Sequence, residues 1–157
     1  MPPSPVRAAV VAAAREWIGT PYHNCADVKG VGVDCGMLLV RVFVDLGLVE
    51  PFDPRPYAPD WHLHRGEERY LGHLLARAHA VARPEPGDIV LFRYGRCYSH
   101  GGIVTGGAVG DRGYSGLTIV HAFHPAKIVL EEEVGRNAEL AARLADARYF
   151  SLWSTDS

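Results

Sequence analysis

The chain has 157 residues, 48% of them apolar and 22% charged, and a formal net charge of −2. That length and balance suit one globular domain with its own core. They exclude the broad basic surface of a nucleic-acid binder, and no apolar run approaches the ~20 residues that span a bilayer. Neither nucleic acid nor membrane is therefore expected as a partner. Met1-Pro2-Pro3-Ser4-Pro5 lacks the basic flank and cleavage pattern of a signal peptide, so synthesis in the cytosol is expected, with any export by another route. Three cysteines, Cys25, Cys35 and Cys97, cannot all pair within one chain. The odd count argues against a disulfide framework and leaves the question of which thiol is reactive.

In chain order, Ser4-Pro5 reads as an N-cap followed by proline at the first helical position. Val6, Val10, Ala13 and Trp17 recur at helical spacing, so a first helix is expected over residues 4–18. Residues 20–33 read as a loop holding Tyr22, His23 and Cys25. Asp34 is a good N-cap, and Leu38, Leu39, Val42, Phe43 and Leu46 form an apolar stripe ending at Gly47. That is a second helix, with Cys35 in its first turn. A proline-rich stretch, 51–61, precedes a third helix expected over 66–81. After Pro84-Glu85-Pro86-Gly87 the pattern changes to short β-rich runs at 88–94, 100–105, 117–122, 127–130 and 148–153, with a short helix at 139–145. Helices first and a meander of strands afterwards predict an α+β fold with an antiparallel sheet, in a single domain spanning 1–157.

The thiol at the helix start carries the chemistry. A helix N-terminus presents unpaired N–H groups and about half a positive charge. A cysteine there ionises more readily, and the thiolate is the nucleophile. The same N–H groups can receive a developing oxyanion. Val31-Gly32-Val33 before it and Gly36 after it leave the sulfur approachable. The competing reading is a small apolar residue packed under the helix. A partner base is needed to decide between them.

Of the eight histidines, His100 opens a strand in Tyr98-Ser99-His100-Gly101-Gly102, and the glycines leave room for a substrate or a helix. His121 ends the next strand in Thr118-Ile119-Val120-His121-Ala122. Neighbouring antiparallel strands would bring the two rings close, giving a Cys-His-X arrangement in which one imidazole orients the other. A zinc site from Cys97, His100, His121 and His124 is an alternative. Ligands three apart on a strand face opposite sides, however, so each pair would require a turn. Cys25 and Cys97 read as structural, His62 and His64 as solvated, and Glu131-Glu132-Glu133 as a solvated strand end. Tyr57 and Trp61 are loop candidates for holding a substrate.

Five blocks in order carry a resemblance: Trp17-Ile18-Gly19-Thr20-Pro21-Tyr22, Gly32-Val33-Asp34-Cys35, Pro86-Gly87-Asp88-Ile89-Val90-Leu91-Phe92, Ser99-His100-Gly101-Gly102-Ile103-Val104 and Ile119-Val120-His121-Ala122. Together they resemble the NlpC family of papain-like cell-wall cysteine peptidases over nearly the whole chain. The resemblance implies Cys35 as nucleophile, His100 as general base and His121 as the residue that orients it. Tyr22 matches a tyrosine lining the cleft beside the thiol, and Asp34 an acid that helps recognise the substrate's free amine. Gly36 and Ser99 complete the expected substrate-binding set. No cofactor or metal is implied. The substrate implied is a peptidoglycan stem peptide, cut between D-glutamate and a diamino acid at the cell wall. Gly36-Met37 departs from the family's usual small polar residue followed by glycine. The stretches 29–35 and 57–61 resemble most the subgroup found among bacteriophage tail proteins, which adds phage tail proteins as expected partners. A non-catalytic tail component, or a transferase or amidase on the same residues, is the alternative.

Overall fold

The computed structural model describes residues 4–53, 76–107 and 116–153. Helix α1 (Pro5–Arg15) starts at Ser4, whose hydroxyl accepts from the Arg7 amide, and has proline in its first turn. Its helix ends earlier than the expected 18, because the chain turns through Trp17 and Ile18 to Gly19, where φ is +92°. The stretch 20–33 is not wholly loop. It holds a small antiparallel pair, β1 (Asp27–Val28) with β2 (Gly32–Val33). Gly32 is required there, since a Cβ would stand 2.9 Å from the His23 Cβ.

Helix α2 (Cys35–Asp45) begins at the Asp34 N-cap, and eight of its eleven residues are buried. Met37, Leu38, Leu39, Val40, Val42 and Phe43 all lie in the core. At about 1.5–3 kcal/mol for each large apolar side chain withdrawn from water, α2 is the main anchor of the helical layer.

The remaining strands form one six-stranded sheet: β3 (His79–Val81), β4 (Ile89–Tyr94), β5 (Cys97–Gly106), β6 (Thr118–Phe123), β7 (Ile128–Glu133) and β8 (Arg148–Ser151). Their spatial order is β3-β8-β4-β5-β6-β7, and every pairing is antiparallel. The α+β expectation holds. The end of the expected third helix does not: His79–Val81 is a strand, drawn into register with Tyr149–Ser151 by the hydrogen bonds of the sheet edge. The rest of that helix, to residue 75, lies outside the described residues, as do Tyr57, Trp61, His62 and His64. Of the short helix expected over 139–145, α3 (Ala138–Ala141) is α-helical and is followed by a 3₁₀ turn over Leu144–Asp146.

The sheet has an apolar layer on each face. Ile89, Leu91, Ile103, Val120, Ala122 and Phe150 face the helices α1 and α2. Val90, Phe92, Val104, Ile119 and Phe123 face the other way, against Val134 and Leu140 of the C-terminal segment. Gly101 allows the first layer to close, because a Cβ there would stand 2.9 Å from a methyl of Leu39 and 3.0 Å from one of Leu91.

A buried polar cluster ties α1 to the sheet. The Arg7 guanidinium donates to Asp88 Oδ1 at 2.8 Å, to the Pro86 carbonyl at 3.0 Å and to Ser151 Oγ at 3.2 Å. The Trp153 ring covers it at 4.6 Å. Removing one partner of a buried pair leaves the other charge uncompensated. Arg7→Ala is expected to lower unfolding stability by about 3–5 kcal/mol, read as a drop in the urea midpoint.

Candidate active site

Three segments converge at the start of α2. Asp34 is buried, and its two carboxylate oxygens serve different stretches of backbone. Oδ1 accepts from the Met37 amide at 2.8 Å and caps the helix; Oδ2 accepts from the Cys25 amide at 2.7 Å. Cys25 sits at φ +64°, a left-handed conformation uncommon outside glycine, and this hydrogen bond helps hold it there. The segment 20–23 is strapped on both sides. The Tyr22 amide donates to the Lys127 carbonyl and the His23 amide to the Val33 carbonyl. The Tyr22 ring meets the His124 ring edge-on at 5.1 Å.

The strapping sets Tyr22 beside the thiol. Burial, then the charges of Cys35 and Asp34, push the Tyr22 hydroxyl far above its ordinary pKa, and the hydroxyl lies against the side chain and backbone of Cys35. Cys35 itself keeps 8% exposure, and its Sγ contacts the Ser99 carbonyl at 3.6 Å. Ser99 is the extra residue of a bulge: Phe92 pairs with His100, but Arg93 already pairs with Tyr98. Such bulges re-aim side chains next to functional sites. Here the bulge presents the backbone just before His100 to the sulfur.

His100 and His121 lie in the second apolar layer. His100 pairs across the ladder with Phe92 and packs against the rings of Phe92, Tyr94 and Phe123. His121 is fully buried, and Gly102 gives it room, since a Cβ on Gly102 would press on the His121 Cβ at 3.2 Å. The expected meeting of the two rings is realised: His100 Nε2 and His121 Nδ1 are 2.8 Å apart. Burial first, then His121 and Arg143, hold the His100 pKa well below its ordinary value. The ring is thus uncharged at neutral pH.

The structure adds a residue that the sequence reading set aside. Glu132 is not a solvated strand end. Its Oε2 is 2.6 Å from His121 Nε2 and accepts from Asn137 Nδ2 at 3.1 Å. The hydrogen bond from His121 is the main cause of the lowered Glu132 pKa. The register explains the contact: β6 pairs Ile119 with Glu132 and His121 with Leu130, so Glu132 is a diagonal neighbour of His121 on one face. The missed signal was period-2 alternation carried past Leu130, which puts Glu132 on the His121 face.

The alternative zinc site is not assembled. Both ring nitrogens of His121 are engaged, by His100 and by Glu132. His124 meets the Tyr22 ring edge-on, and Cys97 is wholly buried as the first residue of β5 rather than lying in a turn. Among the described residues, no group of three or more His, Cys, Asp or Glu side chains is placed to hold a metal ion.

No protein-family model and no curated protein sequence matches the chain. Solved structures do match. The NlpC/p60 domain of the peptidoglycan hydrolase SagA aligns with a TM-score of 0.53 at 22% identity, over 84% of this chain and 92% of that one. NlpC1 from Trichomonas vaginalis aligns with a TM-score of 0.62 at 13% identity, over 88% of this chain; the alignment spans 42% of the NlpC1 chain. An N-acetylmuramoyl-L-alanine amidase from Bacteroides uniformis aligns with a TM-score of 0.55 at 12% identity, over 92% of this chain and 97% of that one. The fold is therefore the papain-like α+β fold of NlpC/p60 domains.

The depressed His100 pKa has a consequence for stability. An unfolded histidine titrates near ~6.5, so between that value and the folded one the unfolded chain binds the extra proton. Stability is then complete above ~6.5 and falls as pH drops through this window. His100→Gln is expected to flatten that acid-side loss, measured as the urea midpoint of variant and wild type between neutral and mildly acidic pH.

Proposed function

We propose that the protein is a peptidoglycan hydrolase that cleaves an amide bond of the stem peptide, with Cys35 as nucleophile, His100 as base and acid, and His121 orienting His100. One observation carries the reading. A cysteine in the first turn of a buried helix touches the backbone beside a neutral, buried imidazole that a second imidazole holds at 2.8 Å. The fold shared with a peptidoglycan hydrolase domain and with an amidase supports the substrate class.

The chemistry follows from the groups present. His100 takes the Cys35 proton, and the thiolate attacks the amide carbonyl, forming a C–S bond as the carbonyl π-pair moves to oxygen. The Cys35 backbone N–H, which meets the Tyr22 hydroxyl in the resting protein, is placed to hold that oxyanion, as is the hydroxyl itself. The intermediate collapses with cleavage of the C–N bond, and His100 returns the proton to the leaving amine. Water, deprotonated by His100, then releases the acyl group and restores the thiol. Asp34 serves this scheme by holding the helix start and the Cys25 loop in place. Its carboxylate oxygens accept from the Met37 and Cys25 amides, so substrate-amine recognition by Asp34 would have to share those oxygens.

The scissile bond is expected between D-glutamate and the diamino acid of the stem. The likeness to N-acetylmuramoyl-L-alanine amidases favours a second reading, cleavage where the stem joins the sugar. Mass spectrometry of purified muropeptides after incubation separates the two by product mass. Cys35→Ala is expected to lower turnover by roughly 10³-fold or more while leaving the circular dichroism spectrum unchanged. A variant as active as wild type overturns the assignment.

A further inference from the structure

We infer that Glu132, held by Asn137, is a positioning residue that fixes which nitrogen of each imidazole carries the proton, leaving His100 Nδ1 bare to act as the base. The inference rests on the reading of His100 as base, and it extends the relay by one residue that the sequence reading had assigned to solvent.

Asn137 Oδ1 caps α3, accepting from the Glu139 amide at 3.1 Å and the Leu140 amide at 3.2 Å. With its oxygen committed to N–H donors, the amide must turn its NH₂ toward Glu132, where the contact is 3.1 Å. Glu132 is ionised at neutral pH and can only accept. The 2.6 Å contact therefore places a hydrogen on His121 Nε2. With His121 neutral, its single N–H is the one at Nε2, and Nδ1 presents a lone pair. The 2.8 Å contact between the rings needs one hydrogen, which His100 Nε2 must then supply. His100, kept neutral by burial, is left with Nδ1 unprotonated.

When His100 Nδ1 takes the thiol proton, an S–H bond breaks and an N–H bond forms, and the ring becomes a cation. Its Nε2–H already points at a lone pair backed by a carboxylate two hydrogen bonds away. The charge is stabilised without any proton moving along the relay, and without the water that the layer around Phe92 and Phe123 excludes. Without Glu132, His121 Nε2 loses its acceptor. The hydrogen can then move to Nδ1, which would force the His100 proton onto Nδ1 and block the base.

The test reads tautomers directly, by nitrogen NMR of ¹⁵N-histidine-labelled full-length protein, with the two rings assigned from His100→Gln and His121→Gln spectra. Wild type is expected to show N–H at Nε2 and a bare Nδ1 on both rings. Glu132→Ala is expected to shift part of the His100 population to the Nδ1–H form. It should also lower kcat on muropeptides roughly 10²-fold or more, the scale of a misplaced histidine tautomer, with little change in KM. Glu132→Gln, which keeps an acceptor oxygen but not the charge, is expected to retain the tautomer and lose less activity. An Nδ1–H on His100 in wild type, protons on both His121 nitrogens, or an unchanged tautomer in Glu132→Ala overturns the inference. Should Glu132→Ala fail to fold, the wild-type and Glu132→Gln spectra still decide it. Because the spectra need no substrate, an inactive protein with the expected tautomers sinks the hydrolase reading alone. An active one with the wrong tautomers sinks only the role of Glu132.

Discussion

Helix α2 has to lie close against β5 before anything else at this site becomes possible. The closeness is set by Gly101, where any side chain would meet Leu39 and Leu91. It brings the first turn of α2 down to the start of the strand, where the Ser99 bulge turns its carbonyl toward the Cys35 sulfur. Asp34 completes the constraint by tying the helix start to the Cys25 loop through one carboxylate. Packing, capping and bulge are separate local features, and all three converge on one sulfur atom.

The sulfur and the imidazoles come from different layers. Cys35 belongs to the helical side of the sheet, while His100, His121 and Glu132 belong to the side covered by the C-terminal segment. The two sides meet at the start of β5, where the Ser99 carbonyl contacts the Cys35 sulfur and His100 is the next residue. Most of each layer can therefore serve as ordinary apolar core, and polar groups are concentrated at one end. His100 Nε2, both nitrogens of His121 and the Glu132 carboxylate all have partners, as burial requires. Arg143, stacked 4.0 Å over Tyr94, adds a positive charge that helps keep His100 neutral.

Much of this was legible in the sequence, for reasons that differ by residue. The start of α2 was readable because Asp34 is a strong cap and the stripe after it has one clear period. The His100–His121 contact was readable because two alternating runs on adjacent strands leave little choice of face. Glu132 was not readable, because three consecutive glutamates look solvated whichever face each takes, and only the register with β6 separates the middle one. The β1–β2 pair was hidden because two-residue strands carry no period. His79–Val81 was misread as helix because a strand this short is defined by its partner at Tyr149–Ser151 rather than by its own residues.

The Arg7 cluster links the two ends of the described chain. Its guanidinium reaches Ser151, 144 positions away, and is roofed by Trp153. Neither α1 nor β8 can then detach without exposing a charge that the other helps to bury. Fraying, which usually begins at chain ends as a local and inexpensive event, is here joined to the melting of the sheet interior. The first turn of α1 and the last turns after β8 are thereby held by one buried guanidinium, so a protease needs that cluster opened before it can grip either described end.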